Sequence, residues 1–231
     1  MTYPMLAGAL AASVALCIPL AHGHEAGDII FRVGAARLFS SEDSSSIDVD
    51  QGSLAGVDLH GNASISNDTQ AGLTATYMMT DHFGIEAMAT TPFRTGIAFH
   101  DTLLNAANMS IGSLKQVSPT VSLVYYPLAP GLDFQPYMGA GVSRTWFFGG
   151  KIDNRAAANR FDNLRASNAW GWAAQLGFDY MLTENLMLNA QARYIDTSTT
   201  LYLQNTALGV RMKSDVDIGS WIGMVGLGYK F

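Results

Sequence analysis

The chain has 231 residues, of which 48% are hydrophobic and only 14% are charged, and its formal net charge is -6. Soluble domains usually contain about 25% charged residues, so this composition is unusual for a cytosolic protein. The lysines and arginines form no cluster, which argues against nucleic-acid binding. The single cysteine, Cys17, excludes an intrachain disulfide and any metal or redox site that needs two thiols.

The N-terminal segment has the features of a secretory signal. Residues 5–20 are apolar or small, and the small-x-small sequence Ala21-His22-Gly23 follows them. This apolar run is shorter than the about 20 residues that a transmembrane helix needs. We therefore expect residues 1–23 to be a cleaved signal peptide and residues 24–231 to be one outer-membrane domain. Lipidation of Cys17 is a weaker alternative, because Leu16 is too large for such a cleavage site.

The rest of the chain alternates between apolar and small or polar residues with period two, which predicts β-strands. No later apolar run is long enough for a membrane-spanning helix. In chain order, we predict strands at 28–38, 68–80, 82–93, 116–128, 134–148, 168–182, 185–197 and 215–231. An even number of strands favours a closed antiparallel barrel.

The connections and the aromatic residues identify which kind of barrel this is. Short connections (80–82, 127–133 and 183–185) alternate with long polar ones (39–67, 94–115, 149–167 and 198–214), as in outer-membrane barrels with short periplasmic turns and long extracellular loops. One aromatic girdle is predicted at the loop ends of the strands, from Trp146, Phe148, Trp170, Trp172, Tyr194 and Trp221. A second is predicted at the turn ends, from Tyr77, Phe83, Tyr125, Phe178, Tyr180, Tyr229 and Phe231.

A soluble sandwich or lipocalin-like barrel also has strands of period two. Its outer face is charged, however, whereas the predicted strands here contain few lysines or arginines and have one continuous apolar face. The sequence therefore predicts an all-β, eight-stranded transmembrane barrel in the outer membrane of a Gram-negative cell.

The inward-facing positions divide the predicted lumen into two halves. Eight strands enclose a space that side chains nearly fill, which excludes a wide water-filled pore. Near the turns we expect four charges that balance and could pair as a plug: Arg32, Glu86, Asp179 and Lys230. Near the long loops we expect an apolar lining: Met88, Phe147, Ile195, Ile218, Ile222 and Met224. From periodicity alone, this lining is either simple packing or a passage for an apolar ligand.

Two prolines, Pro92 and Pro119, lie at similar heights on neighbouring predicted strands. Proline has no N–H, so the ladder between these strands should be interrupted there. We expect a lateral gate at this position; the alternative is that both prolines merely end their strands above the bilayer.

Many short motifs along the chain resemble those of the OmpW family of outer-membrane proteins, which includes the alkane-uptake protein AlkL. They include His24-Glu25-Ala26-Gly27-Asp28, Thr91-Pro92-Phe93, Arg193-Tyr194-Ile195-Asp196 and Gly228-Tyr229-Lys230-Phe231, and the match covers essentially the whole mature chain in order. The resemblance implies an eight-stranded barrel that admits small hydrophobic molecules. Arg193 departs from the family pattern, since relatives can carry an aromatic residue at this position, inside the barrel.

We therefore expect a channel for passive uptake of small hydrophobic solutes, with lateral exit into the membrane and no cofactor. The expected partners are outer-membrane lipid, lipopolysaccharide and the barrel assembly machinery; a monomer suffices. An adhesin-like interaction protein is the first alternative, although residues 39–67 carry few bulky side chains. A lipid enzyme is a weaker one, because no histidine lies in a catalytic pattern.

Overall fold

The computed structural model describes residues 23–44, 48–51, 62–100, 109–153, 163–205 and 210–231. Within these ranges the protein is all-β, and no helix is long and apolar enough to cross a membrane. The strands are β1 (Ile29–Ser44), β2 (Asp48–Gln51), β3 (Asn62–Ile65), β4 (Asp68–Met78), β5 (Phe83–Thr90), β6 (Phe93–His100), β7 (Met109–Val117), β8 (Thr120–Tyr125), β9 (Phe134–Ile152), β10 (Asn163–Ala166), β11 (Ala169–Met181), β12 (Leu186–Asn205) and β13 (Val210–Lys230).

Eight of these strands form a closed antiparallel barrel, as the sequence predicted. Around the wall the order is β1, β4, β5, β8, β9, β11, β12 and β13, and β13 pairs with β1 to close it. Closure gives each of these eight strands a hydrogen-bonded neighbour on both sides, as a bilayer without water in its core requires. The shorter strands β2, β3, β6, β7 and β10 extend the wall at the loop end.

The outer surface of the barrel carries the apolar face of each strand. Along β4, for example, Leu73 and Tyr77 are exposed, whereas Thr74 and Thr76 are buried inside. Aromatic side chains form the two girdles that the sequence predicted. At the loop end, Tyr194 contacts both Trp172 and Trp221, with ring centroids 5.4 Å and 5.2 Å apart. This surface matches a bilayer with an interface at each end of the wall.

The long connections contain more strand than the sequence indicated. Residues 94–115 were predicted as a loop, but the hairpin β6–β7 occupies most of the described part of this region. Strands β9, β12 and β13 likewise continue beyond the predicted strand ends. Beyond the bilayer the backbone ladder continues, but neither face has to be apolar. The hydrogen-bonded strands therefore extend beyond the residues that show the period-two pattern.

Candidate functional site

A group of buried charges fills the lumen toward the short turns. Arg32, from β1, forms a bidentate pair with Asp179 of β11, with Nε–Oδ1 and Nη2–Oδ2 distances of 2.9 and 2.6 Å. Arg32 also donates from Nη1 to the Oε2 atom of Glu86, at 3.2 Å, and from Nη2 to the hydroxyl of Tyr126, at 2.8 Å. Both side chains of the bidentate pair are fully buried, which requires this degree of pairing.

Arg193 completes this group, although the sequence analysis identified it only as a departure from the family pattern. Its Nη2 atom lies 2.6 Å from Oε1 of Glu86, and its side chain is 1% exposed. Glu86 therefore bridges Arg32 and Arg193, and it also accepts hydrogen bonds from Thr76 and Gln175. We call the four ion-paired residues Arg32, Glu86, Asp179 and Arg193 the charge cluster. It holds two cations and two anions.

Lys230 lies apart from this cluster, although the sequence grouped it with the other three charges. Its Nζ atom lies 3.6 Å from Oδ2 of Asp28. In the full-length chain it also donates, at 2.7 Å, to the carbonyl oxygen of Gly23, the last residue of the expected signal peptide. His24 joins the cluster from the same N-terminal segment, with Nε2 2.8 Å from Oδ2 of Asp179. The segment before β1 therefore closes the turn end of the lumen from below.

Buried apolar side chains close the lumen on both sides of the charges. The group nearer the turns consists of Ile30, Met78, Val124, Tyr126, Tyr137, Met181 and Met187. The group nearer the loops, which we call the apolar layer, consists of Ala36, Leu38, Met88, Phe93, Ala173, Ile195, Ile222 and Met224. Four of the six residues predicted to line the upper lumen, Met88, Ile195, Ile222 and Met224, belong to the apolar layer.

The other two predicted lining residues have different positions. Phe147 borders a small cavity just above the apolar layer, together with Ile195 and Ile222. The side chain of Ile218 lies outside the described part of the structure. The cavity has a volume of about 10 Å³, close to the minimum for one water molecule. The apolar layer is thus packed in this conformation, and a solute would have to displace side chains to enter.

The wall of the barrel is interrupted beside the apolar layer. Strands β5 and β8 pair as far as Met88 and Thr120, and β6 and β7 pair from Phe93 and Gln116 onward. Between these positions, residues 89–92 do not pair with residues 117–119. We call this interval the wall break. Pro92 and Pro119 both lie within it.

Backbone groups at the wall break bond to the strands on either side instead of across it. The Thr91 nitrogen donates to the Ala71 oxygen, at 2.9 Å, and the Pro119 oxygen accepts from the Arg144 nitrogen, at 3.1 Å. The prolines themselves bring no donor. These bonds satisfy backbone groups that do not pair across the wall break, as a lipid environment requires.

Side chains also support the start of β6 on its other side. Oδ2 of Asp68 accepts from the Arg94 nitrogen, at 2.7 Å, and the Ser66 hydroxyl accepts from the Gly96 nitrogen, at 2.9 Å. One backbone bond accompanies them, from the Ser66 nitrogen to the Gly96 oxygen, at 3.2 Å. Phe93, only 1% exposed, fills the space behind this segment. Sequence reasoning missed Phe93; its position directly after Pro92 was the available signal.

The fold and its lipid-facing surface define the class of this protein: it is an integral β-barrel of the outer membrane. Comparison with known proteins agrees, since a family model for the OmpW family matches residues 25–231. Outer membrane protein W of Vibrio cholerae serotype O1 is 34% identical over 223 residues, which cover 96% of this chain and 97% of that protein. The chain belongs to the OmpW family.

Two further similarities bear on the site. The crystal structure of the outer membrane protein OprG from Pseudomonas aeruginosa matches with a TM-score of 0.82 at 39% identity, covering 90% of this chain and 98% of that one. Outer membrane protein AlkL of Ectopseudomonas oleovorans is 25% identical over 211 residues, which cover 90% of this chain and 84% of that protein. These similarities establish the barrel and its membrane location.

Proposed function

We propose that the protein is a passive channel through which small hydrophobic molecules cross the outer membrane. The solute enters the apolar layer from the loop end and leaves sideways through the wall break into the membrane. The observation that carries this proposal is the position of the wall break: it adjoins the apolar layer and lies above the charge cluster. The resemblance to a family that includes AlkL supports the same class of solute.

The charge cluster explains why the exit would be lateral. A hydrophobic solute moving straight toward the periplasm would have to separate ion pairs that are fully buried, leaving uncompensated charges in a narrow lumen. Moving sideways requires Phe93 and its neighbours to shift, but it separates none of these ion pairs. Met88 and Met224 suit such a movement, because methionine is unbranched and adapts to irregular spaces.

No cofactor or energy source is part of this proposal, and transport runs down the concentration gradient. The partners in it are the outer-membrane lipid around the wall, lipopolysaccharide at the loop end, the barrel assembly machinery and the solute. In this proposal the protein acts as a monomeric channel and not as an enzyme. The packed apolar layer is the closed conformation, and thermal motion of its side chains admits the solute.

A disulfide across the wall break tests the exit. Thr90, the last residue of β5, and Ser118, which lies between β7 and β8, are each two residues beyond the last register pair, Met88 and Thr120. Cysteines at these two positions should form a disulfide on oxidation, and uptake of a medium-chain alkane into liposomes should then fall to the protein-free rate. Reduction should restore it.

The matched control is a disulfide between Ala87 and Val121, which are register partners in the intact ladder just below the wall break. Antiparallel partners have the Cα separation that a disulfide needs. Uptake should be unchanged in this oxidised control. If the oxidised Thr90–Ser118 variant takes up the alkane as fast as its reduced form, the solute does not leave at the wall break.

A further inference from the structure

Several buried polar atoms just below the apolar layer have no hydrogen-bond partner among the described residues. They are the hydroxyls of Thr74 and Ser122, Oε1 of Gln175, and Nε and Nη1 of Arg193. We call these four residues the polar shell; Arg193 belongs to both the shell and the charge cluster. A buried polar atom without a partner is destabilising, so a group of them in one place suggests a ligand that supplies the bonds.

The strand register places the polar shell around Glu86. Ser122 is the cross-strand partner of Glu86, and Gln175 is that of Arg193. Gln175 and Arg193 both donate to the same Glu86 oxygen, at 3.0 and 2.6 Å. The other polar atoms of the two side chains are available to another partner: Oε1 of Gln175 can accept a hydrogen bond, and Nε and Nη1 of Arg193 can donate one.

Two residues of the polar shell are also cross-strand partners of residues in the apolar layer. Thr74 pairs with Met88, and Arg193 pairs with Ile222; both partners belong to the apolar layer. A molecule that passes through the apolar layer thus meets hydrogen-bonding groups at its lower boundary. This arrangement fits an amphipathic solute with an alkyl chain and one polar end.

The charge cluster indicates which polar end is accepted. Its two cations already face two anions, and all four side chains are at most 1% exposed. A carboxylate would add an unbalanced negative charge to this buried environment, which is costly. A hydroxyl adds no charge, can accept from Arg193 and can donate to Gln175.

We propose that the polar shell binds the uncharged hydroxyl end of an aliphatic alcohol while its alkyl chain occupies the apolar layer. This inference rests on the proposed function, because the solute must be able to enter the lumen. It goes further by naming a binding position and a preferred class: alcohols over alkanes of equal length and over carboxylates.

Binding can be observed without transport. In the protein labelled with nitrogen-15 at arginine and reconstituted in lipid nanodiscs, 1-octanol should shift the Arg193 Nε resonance in a saturable way. Octane and octanoate at the same concentration should leave it unchanged. If 1-octanol causes no saturable shift, or if octane causes the same one, the polar shell does not bind the hydroxyl and is filled by trapped water only.

Transport gives a second test with a matched control. In liposomes, Arg193→Met should reduce the ratio of 1-octanol uptake to octane uptake about tenfold, as expected for the loss of a hydrogen bond to a charged donor. Arg165→Met, at an exposed position near the loop end, should leave the ratio unchanged. Gln175→Leu should lower the ratio in the same direction as Arg193→Met, which guards against a folding defect in one variant.

The outcomes separate the two proposals. If the wild-type protein accelerates neither solute, the channel function itself is wrong and this inference falls with it. If the wild type accelerates both solutes and Arg193→Met leaves their ratio unchanged, the channel function stands and the polar shell has no part in choosing the solute.

Discussion

Removing one charge from the charge cluster should destabilise the barrel strongly. Asp179 accepts four hydrogen bonds, two from Arg32 and one each from His24 and Asn189, at 2.6 to 2.9 Å. Asp179→Asn keeps the shape and some of these bonds but leaves two buried cations facing one anion. Breaking a buried ion pair in this way costs about 3–5 kcal/mol, a large part of the stability of an ordinary domain.

A double variant separates the effect of charge from the effect of shape. In Arg32→Met/Asp179→Asn, Glu86 keeps its pair with Arg193, so the remaining buried charges balance. We expect this double variant to be more stable than Asp179→Asn alone by about 2 kcal/mol, because residues in one ion-pair network couple by up to about 3 kcal/mol.

Equilibrium unfolding in phospholipid vesicles, followed by tryptophan fluorescence, measures these differences. All four tryptophans of the chain lie in the girdle at the loop end, so the signal reports removal of the wall from the membrane. The reasoning is refuted if Asp179→Asn loses less than about 1 kcal/mol, the upper range of an exposed ion pair. A double variant no more stable than the single one would also refute it.

Three further predictions concern the ends of the chain and the lumen. Mass spectrometry of the protein purified from outer membranes should show a mature chain that begins at His24; an intact Met1 or a lipidated Cys17 would contradict this. Met88→Asp or Ile222→Asp should add a negative charge to the apolar layer and slow alkane uptake in a barrel that still folds, while Ile222→Val should not; equal uptake would favour simple packing. Planar-bilayer recordings should show little ionic conductance, and a large steady current would mean that the lumen is continuous.

The barrel itself was predictable because lipid imposes a strict rule on the wall. Every lipid-facing residue in a spanning strand must be compatible with hydrocarbon, so alternation and girdles are visible in the sequence. The inward direction of Arg32, Glu86 and Asp179 followed from the same alternation. Their grouping around one point required the register between strands that are far apart in sequence, which a pattern within one strand does not contain.

Two parts of the candidate site could not be read from periodicity. Arg193 has its backbone beside the apolar layer, but its long side chain reaches toward the turns to Glu86, so its strand position alone suggests the wrong neighbours. The contact of His24 with Asp179 could not be predicted either, because His24 lies in the irregular segment before the first strand. Strand alternation does not predict where the end of a long flexible side chain lies, and it does not apply to irregular segments.

The contacts that close the barrel also constrain how it can be assembled. Strand β1 pairs with β13, and the Phe231 nitrogen donates to the Ile29 oxygen, at 2.9 Å, where the first and last strands meet. Arg32 cannot meet Asp179, 147 positions away, until this seam is formed. Contacts of such separation are slow to form, and before closure each charged side chain would remain hydrated or unpaired. The order of events is therefore fixed in outline: the hairpins form first, and the ion pairs inside the lumen form only when the first and last strands meet.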